Sequence, residues 1–147
     1  MRFVITTACA AAFSIVAVAP VHAQQPSPER AAPKTLFSAP LADAPGKNLV
    51  VVELDLPPHP EPPSTPEQPR RGHHHPGSVY VYVTQGTLRL GLAGQPVRVV
   101  KTGESFFEPV GAHHIITESA SATEPARAIA VMIVPDGAPL ATTDEEK

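Results

Sequence analysis

The sequence predicts an all-β domain, a small antiparallel barrel. Three observations lead there: short runs alternating apolar and polar residues between Gly- and Pro-containing turns, no stretch with a convincing helical period, and 19 prolines among 147 residues. Alternation sends one side of a strand inward and the other to solvent. Proline lacks the amide hydrogen and clashes with the preceding helical turn, so a density well above the roughly 5% of average chains argues against a helical bundle. The length is one domain's worth. Eleven Lys and Arg against 14 Asp and Glu give a net charge of -3. That is the wrong sign for a nucleic-acid binder, which needs a basic face to neutralise phosphates.

The first segment reads as an address. Met1-Arg2 is a positive start, Phe3 to Pro20 is apolar and alanine-rich, and Val21-His22-Ala23 ends in the small-x-small pattern of a signal peptidase site. Residues 1–23 are therefore expected to be a signal peptide cleaved before Gln24, with the mature chain exported to the periplasm or secreted. The apolar run is alanine-dominated and short for a membrane span, so no membrane association is expected after cleavage. Cys9, the one cysteine, would leave with the leader. An exported chain without disulfides is held by its core, or by a core plus a bound ion.

Residues 24–33 are polar and proline-punctuated and read as a disordered lead-in. The barrel domain is expected over 34–140, with its core at 49–135. Lys47 to Leu56 carries a β-branched run and then sets Val52, Leu54 and Leu56 against Glu53 and Asp55, a half-buried strand. The stretch PPHPEPPSTPEQPRRG that follows cannot enter a central strand or a helix. It reads as an extended, stiff loop, a connector or a lip over a site. Val79 to Val83 alternates valine with Tyr80 and Tyr82. Thr84 to Thr87 then turns into Leu88 to Leu92, which predicts a β-hairpin with Gly86 at positive φ. Val97 to Val100, Ser105 to Glu108, His114 to Thr117 and Ala126 to Val134 supply further strands. Residues 141–147 are a polar tail, expected to fray.

Five of the seven histidines fall in two clusters, His73-His74-His75 and His113-His114. Residues two apart on a strand share a face, so His73 and His75 project together while His74 points away. The second cluster lies a hairpin and two strands further on, enough chain to return beside the first in an antiparallel barrel. Two imidazoles from one strand and one from another suit a divalent transition metal.

Gly72 to Gly86, GHHHPGSVYVYVTQG, resembles the first motif of the cupin superfamily, with paired histidines and a closing glycine. Gly103 to His114, GESFFEPVGAHH, resembles the second, a glycine, five residues, Pro-x-Gly and a following histidine. The resemblance runs from about Leu49 to Pro135 and points to a small single-domain exported cupin. It implies a jelly-roll β-barrel with the ligand cavity inside, and His73, His75 and His114 as metal ligands. Two departures stand out. The first motif usually has a carboxylate seven residues before its closing glycine, where this chain has Val79. The second often has Asn four residues after its histidine, where this chain has Glu118. By alternation Glu118 shares a face with His114, as a replacement carboxylate or as a solvated strand-end residue. Glu108, ahead of the Pro-x-Gly turn, is a candidate partner fixing a histidine.

No cysteine nucleophile survives cleavage, and no Gly-x-Ser-x-Gly elbow or phosphate-cradling loop is present. The candidate catalytic residues are Glu108 and Glu118, and the expected cofactor is one divalent transition ion (Fe, Mn, Zn or Ni). The resemblance implies a metal-dependent dioxygenase or isomerase acting on a small organic molecule. The alternatives are a non-enzymatic module holding a small molecule or the metal, and a structural barrel that forms a homodimer through sheet surfaces.

Overall fold

A computed structural model describes residues 32–59, 63–67 and 72–144. The expected signal peptide, nearly all of the lead-in and part of the proline stretch lie outside these residues. The described chain forms ten strands: β1 Lys34–Pro40, β2 Lys47–Leu56, β3 His73–His74, β4 Ser78–Gln85, β5 Thr87–Leu92, β6 Arg98–Lys101, β7 Ser105–Glu108, β8 His113–Ser119, β9 Ala126–Pro135 and β10 Thr142–Thr143. They make two five-stranded sheets, ordered β1-β2-β9-β4-β7 and β10-β3-β8-β5-β6. Every pairing is antiparallel. This is the jelly-roll barrel that the sequence predicts.

Alternation places the core. Val50, Val52 and Leu56 of β2, Val79, Val81 and Val83 of β4, and Leu88, Leu90 and Leu92 of β5 all point inward and are buried. Tyr80 and Tyr82 point outward, as the pattern requires. β9, the central strand of its sheet, turns Ala126, Ala128, Ala130, Met132 and Val134 inward. A run of alanines there cannot fill the barrel as leucines would, and Ala130 and Met132 line the cavity that is left.

Two expectations need correcting. Gly86 has the predicted positive φ, 71°, but β4 and β5 are not a hairpin: β4 pairs with β7 and β9, and β5 with β6 and β8. The turn carries the chain from one sheet to the other. Its tightness explains the glycine, because a Cβ there would lie 2.5 Å from the carbonyl oxygen of Pro125 and 3.0 Å from Cα of Ala126 at the start of β9. The polar tail is also not wholly frayed. Thr142 and Thr143 pair with His74 and His73, so β10 closes one edge of the second sheet.

Candidate metal centre

The histidines meet because β3 and β8 are neighbours. The register sets His73 opposite His114 and His74 opposite His113. Side chains of a cross-strand pair share a face, so the first pair faces the barrel interior and the second faces outward. His75, just beyond β3, joins the inner pair. One ring nitrogen from each of His73, His75 and His114 lies within 4.8 Å of the others. Nε2 of His73 is 3.1 Å from Nε2 of His75. The His114 side chain is 3% exposed.

The tautomer of His75 follows from its second contact. Its Nδ1 lies 2.7 Å from the carbonyl oxygen of Leu140, and a carbonyl only accepts, so Nδ1 carries the proton. Nε2 is then the lone-pair nitrogen and points at the cluster. A backbone carbonyl gripping the far nitrogen of a ring is the usual support of a metal-binding histidine.

Glu108 lies beside this trio of histidines. It is the register partner of Val79 across β4 and β7, the position where the first motif lacks its carboxylate. The substituted position and the carboxylate thus face the same space from adjacent strands. Oε1 of Glu108 is 3.1 Å from Nδ1 of His114, and Oε2 is 3.8 Å from Nε2 of His75. The Glu108 side chain is 3% exposed, yet its Oε2 and the Nδ1 of His114 have no hydrogen bond of proper geometry. Buried polar atoms are nearly always satisfied. Two orphans beside three convergent imidazoles fit a bound cation.

Glu118 is placed elsewhere. It faces inward as alternation predicts, but four residues along a strand is about 13 Å from His114. There it pairs with Arg89, lies 2.7 Å from Nε2 of His59 and accepts from the amide of Ser64 at 3.3 Å. Arg89 also donates to the carbonyl of Ser64 at 2.9 Å, and the His59 amide donates to Ser121 at 2.8 Å. The described part of the proline stretch is therefore pinned at this far end of the barrel, and Glu118 is the anchor.

The cavity beside the histidines holds about 200 Å³ and is walled mainly by Val52, Leu54, Val81, Leu90, Ala130 and Met132. Its polar lining includes Glu108, Thr117 and Thr143 with the three histidines. The Thr117 hydroxyl is 3.1 Å from Nε2 of His114. Sequence reasoning missed Leu140, Thr117 and Thr143. A backbone carbonyl has no residue signature, and threonine on a strand is common for reasons of shape alone.

The family model for the cupin domain matches residues 61–132. Among solved structures, the chain is similar to a conserved protein with a double-stranded β-helix domain from Klebsiella pneumoniae, at 19% identity and a TM-score of 0.53, covering 86% of this chain and 91% of that one. It is also similar to a protein from Thermus thermophilus, at 24% identity and a TM-score of 0.52, covering 76% of this chain and 90% of that one. Comparison with curated proteins finds no match.

Proposed function

This chain belongs to the cupin superfamily, and from that premise we propose an exported, mononuclear metal-binding protein that acts on a small organic molecule inside the barrel by oxygenase-type chemistry. The observation that carries the reading is the convergence of His73, His75 and His114, with the buried Glu108 carboxylate beside His75 and His114 and its Oε2 lacking a hydrogen bond. His73, His75 and His114 would hold the ion, with Glu108 in the place of the carboxylate absent at Val79. When bound, a divalent transition ion would supply Lewis-acid polarisation of a substrate oxygen and open coordination positions. The leader pattern at 1–23 supports export.

The chain's own residues shape what enters. A cavity of about 200 Å³ is small by the standard of ligand pockets, which run to roughly 300–1,000 Å³. Its apolar wall favours a compact, largely hydrocarbon or thioether body whose one polar end turns toward the histidines. Leu140 holds the His75 ring in place, and Thr117 does the same for His114. Glu108 is the only titratable side chain besides the histidines among the described lining residues. As a proton acceptor it would assist turnover; the second reading is a binding module that holds its ligand unchanged.

Metal analysis of the full chain purified without an affinity tag tests the first step. The wild type is expected to retain one ion more per chain than His75→Ala. Total content below about 0.2 ion per chain refutes the metal reading, because an assembled site keeps its ion. Oxygen uptake with a panel of small thiols and diketones, with flavonoids as members expected to be too large, tests the second step. Saturable binding of a panel member that is recovered chemically unchanged, with no oxygen uptake, selects the binding module.

A further inference from the structure

The inner histidines have a mirror image. His74 and His113 are the next rung of the β3–β8 ladder, on the outer face. Their rings stack at 4.3 Å with 15° between planes. Asp144 follows β10 on the same face, held there by its amide, which donates to the carbonyl of Gly72 at 3.0 Å. Its Oδ2 lies 2.7 Å from Nε2 of His113, and its Oδ1 lies 3.8 Å from Nε2 of His74. Three adjacent strands thus deliver two imidazoles and a carboxylate whose ligand atoms lie within 4.8 Å of one another.

We propose that His74, His113 and Asp144 form a second site for a borderline divalent transition ion, zinc in the first instance, which fastens the C-terminal strand across the mouth of the inner site. The donor set is nitrogen and carboxylate oxygen, the zinc-type combination. Separations of 2.7 and 3.8 Å bracket the roughly 3.3 Å between neighbouring ligand atoms around a tetrahedral zinc with ~2.0 Å bonds. Gly72 supplies an independent sign. A Cβ built there would collide with both Asp144 Oδ2 and His113 Nε2, so a larger residue would have to push these side-chain ends out of the place where they meet. Gly72 is buried but has no positive φ of its own, so backbone conformation does not explain the glycine.

The consequence reaches the inner site. The C-terminal segment held by this cluster includes Leu140, whose carbonyl fixes His75, and Thr143, which lines the cavity. An ion on the outer face ties that segment to β3 and β8 at once, where β10 alone is a two-residue strand.

His74→Ala is the decisive variant. At 3.8 Å His74 makes no hydrogen bond to Asp144, so its loss leaves the 2.7 Å bond between His113 and Asp144 in place. After equilibrium dialysis of the untagged full chain against zinc, the wild type should hold one zinc more per chain than His74→Ala, His113→Ala or Asp144→Asn. That difference should persist in a His75→Ala background, so it stands or falls apart from the inner site. Zinc should also slow carboxypeptidase release of the C-terminal residues several-fold in the wild type and leave His74→Ala unprotected. Equal zinc content in wild type and His74→Ala overturns the proposal. So does tail protection that is the same with and without zinc.

Discussion

Replacing Glu108 by glutamine keeps the side chain's shape and removes its charge, with opposite consequences for the two states of the protein. Without an ion, a carboxylate 3% exposed with an oxygen lacking a hydrogen bond is a burden, since buried charge is costly unless fully paired. Metal-free Glu108→Gln is therefore expected to unfold at the same temperature as the wild type, or higher. With an ion, the missing charge weakens the grip. Loss of a residue that directly supports the ligands costs about tenfold to hundredfold in metal affinity, or about 1.4–2.7 kcal/mol. At fixed excess ion, the stabilisation gained on binding falls by the same amount. At roughly 3–4 °C per kcal/mol for a domain of this size, the gap between metal-free and loaded Tm narrows by about 4–11 °C. Scanning calorimetry on chelated and reloaded protein reads both quantities, in a His74→Ala background so that only the inner ion counts. The register adds a rescue. Because Val79 and Glu108 are cross-strand partners, Val79→Glu combined with Glu108→Val returns a carboxylate to the same space and should recover part of the affinity. An unchanged affinity and an unchanged Tm gap in Glu108→Gln would refute the reasoning.

Arg89→Met strands Glu118, whose side chain is 6% exposed, with His59 and one amide. Since Arg89 is itself 19% exposed, the loss should be about 2–4 kcal/mol by urea unfolding, at the low side of what breaking a buried pair costs. Metal content should be unchanged, because this anchor lies about four residues of strand away from His114. Gly77→Ala places a Cβ against the carbonyl of Ile133, 2.7 Å from its carbon, and backbone cannot rotate aside. It should cost about 1–3 kcal/mol and weaken metal binding as well, since His75 sits two residues upstream. On the outer sheet face, Phe37, Val51, Val131, Tyr80 and Phe107 are consecutive register partners across five strands, an apolar row about 19 Å long. Phe37, Tyr80 and Phe107 are 51%, 45% and 58% exposed. A homodimer through this row is the expectation, and Tyr80→Lys with Phe107→Lys should convert it to a monomer by light scattering. A wild type that is monomeric at every concentration removes the dimer.

Much of the fold was legible because a strand's period is local. Lys47–Leu56 and the Ala126 strand follow from counting which residues alternate, with no knowledge of neighbours. The same counting faces His73 and His75 inward and His74 outward, and it frees the tyrosines from the cavity. Glu118 shows the limit of the method. Its facing is right, but alternation says nothing of depth along the barrel, and about four residues of rise separate two environments. β10 was hidden for a related reason: two threonines carry no period, and their pairing with His73 and His74 depends on where the chain's end comes to lie.

The sequence by itself determined most of the strands, the positive φ at Gly86 and the shared facing of His73 and His75, consequences of local backbone preference and residue order, while the resemblance of its two motifs to the cupins supplied the jelly roll and His114. Only the tertiary structure decided that the Gly86 turn crosses between sheets, that Glu108 stands opposite Val79, that Leu140 grips His75, and that Asp144 meets His74 and His113. Each of these is a matter of register. Register is set by which strands exchange backbone hydrogen bonds when the barrel closes, and those partners lie from 29 residues apart, for Val79 and Glu108, to 70, for His74 and Asp144.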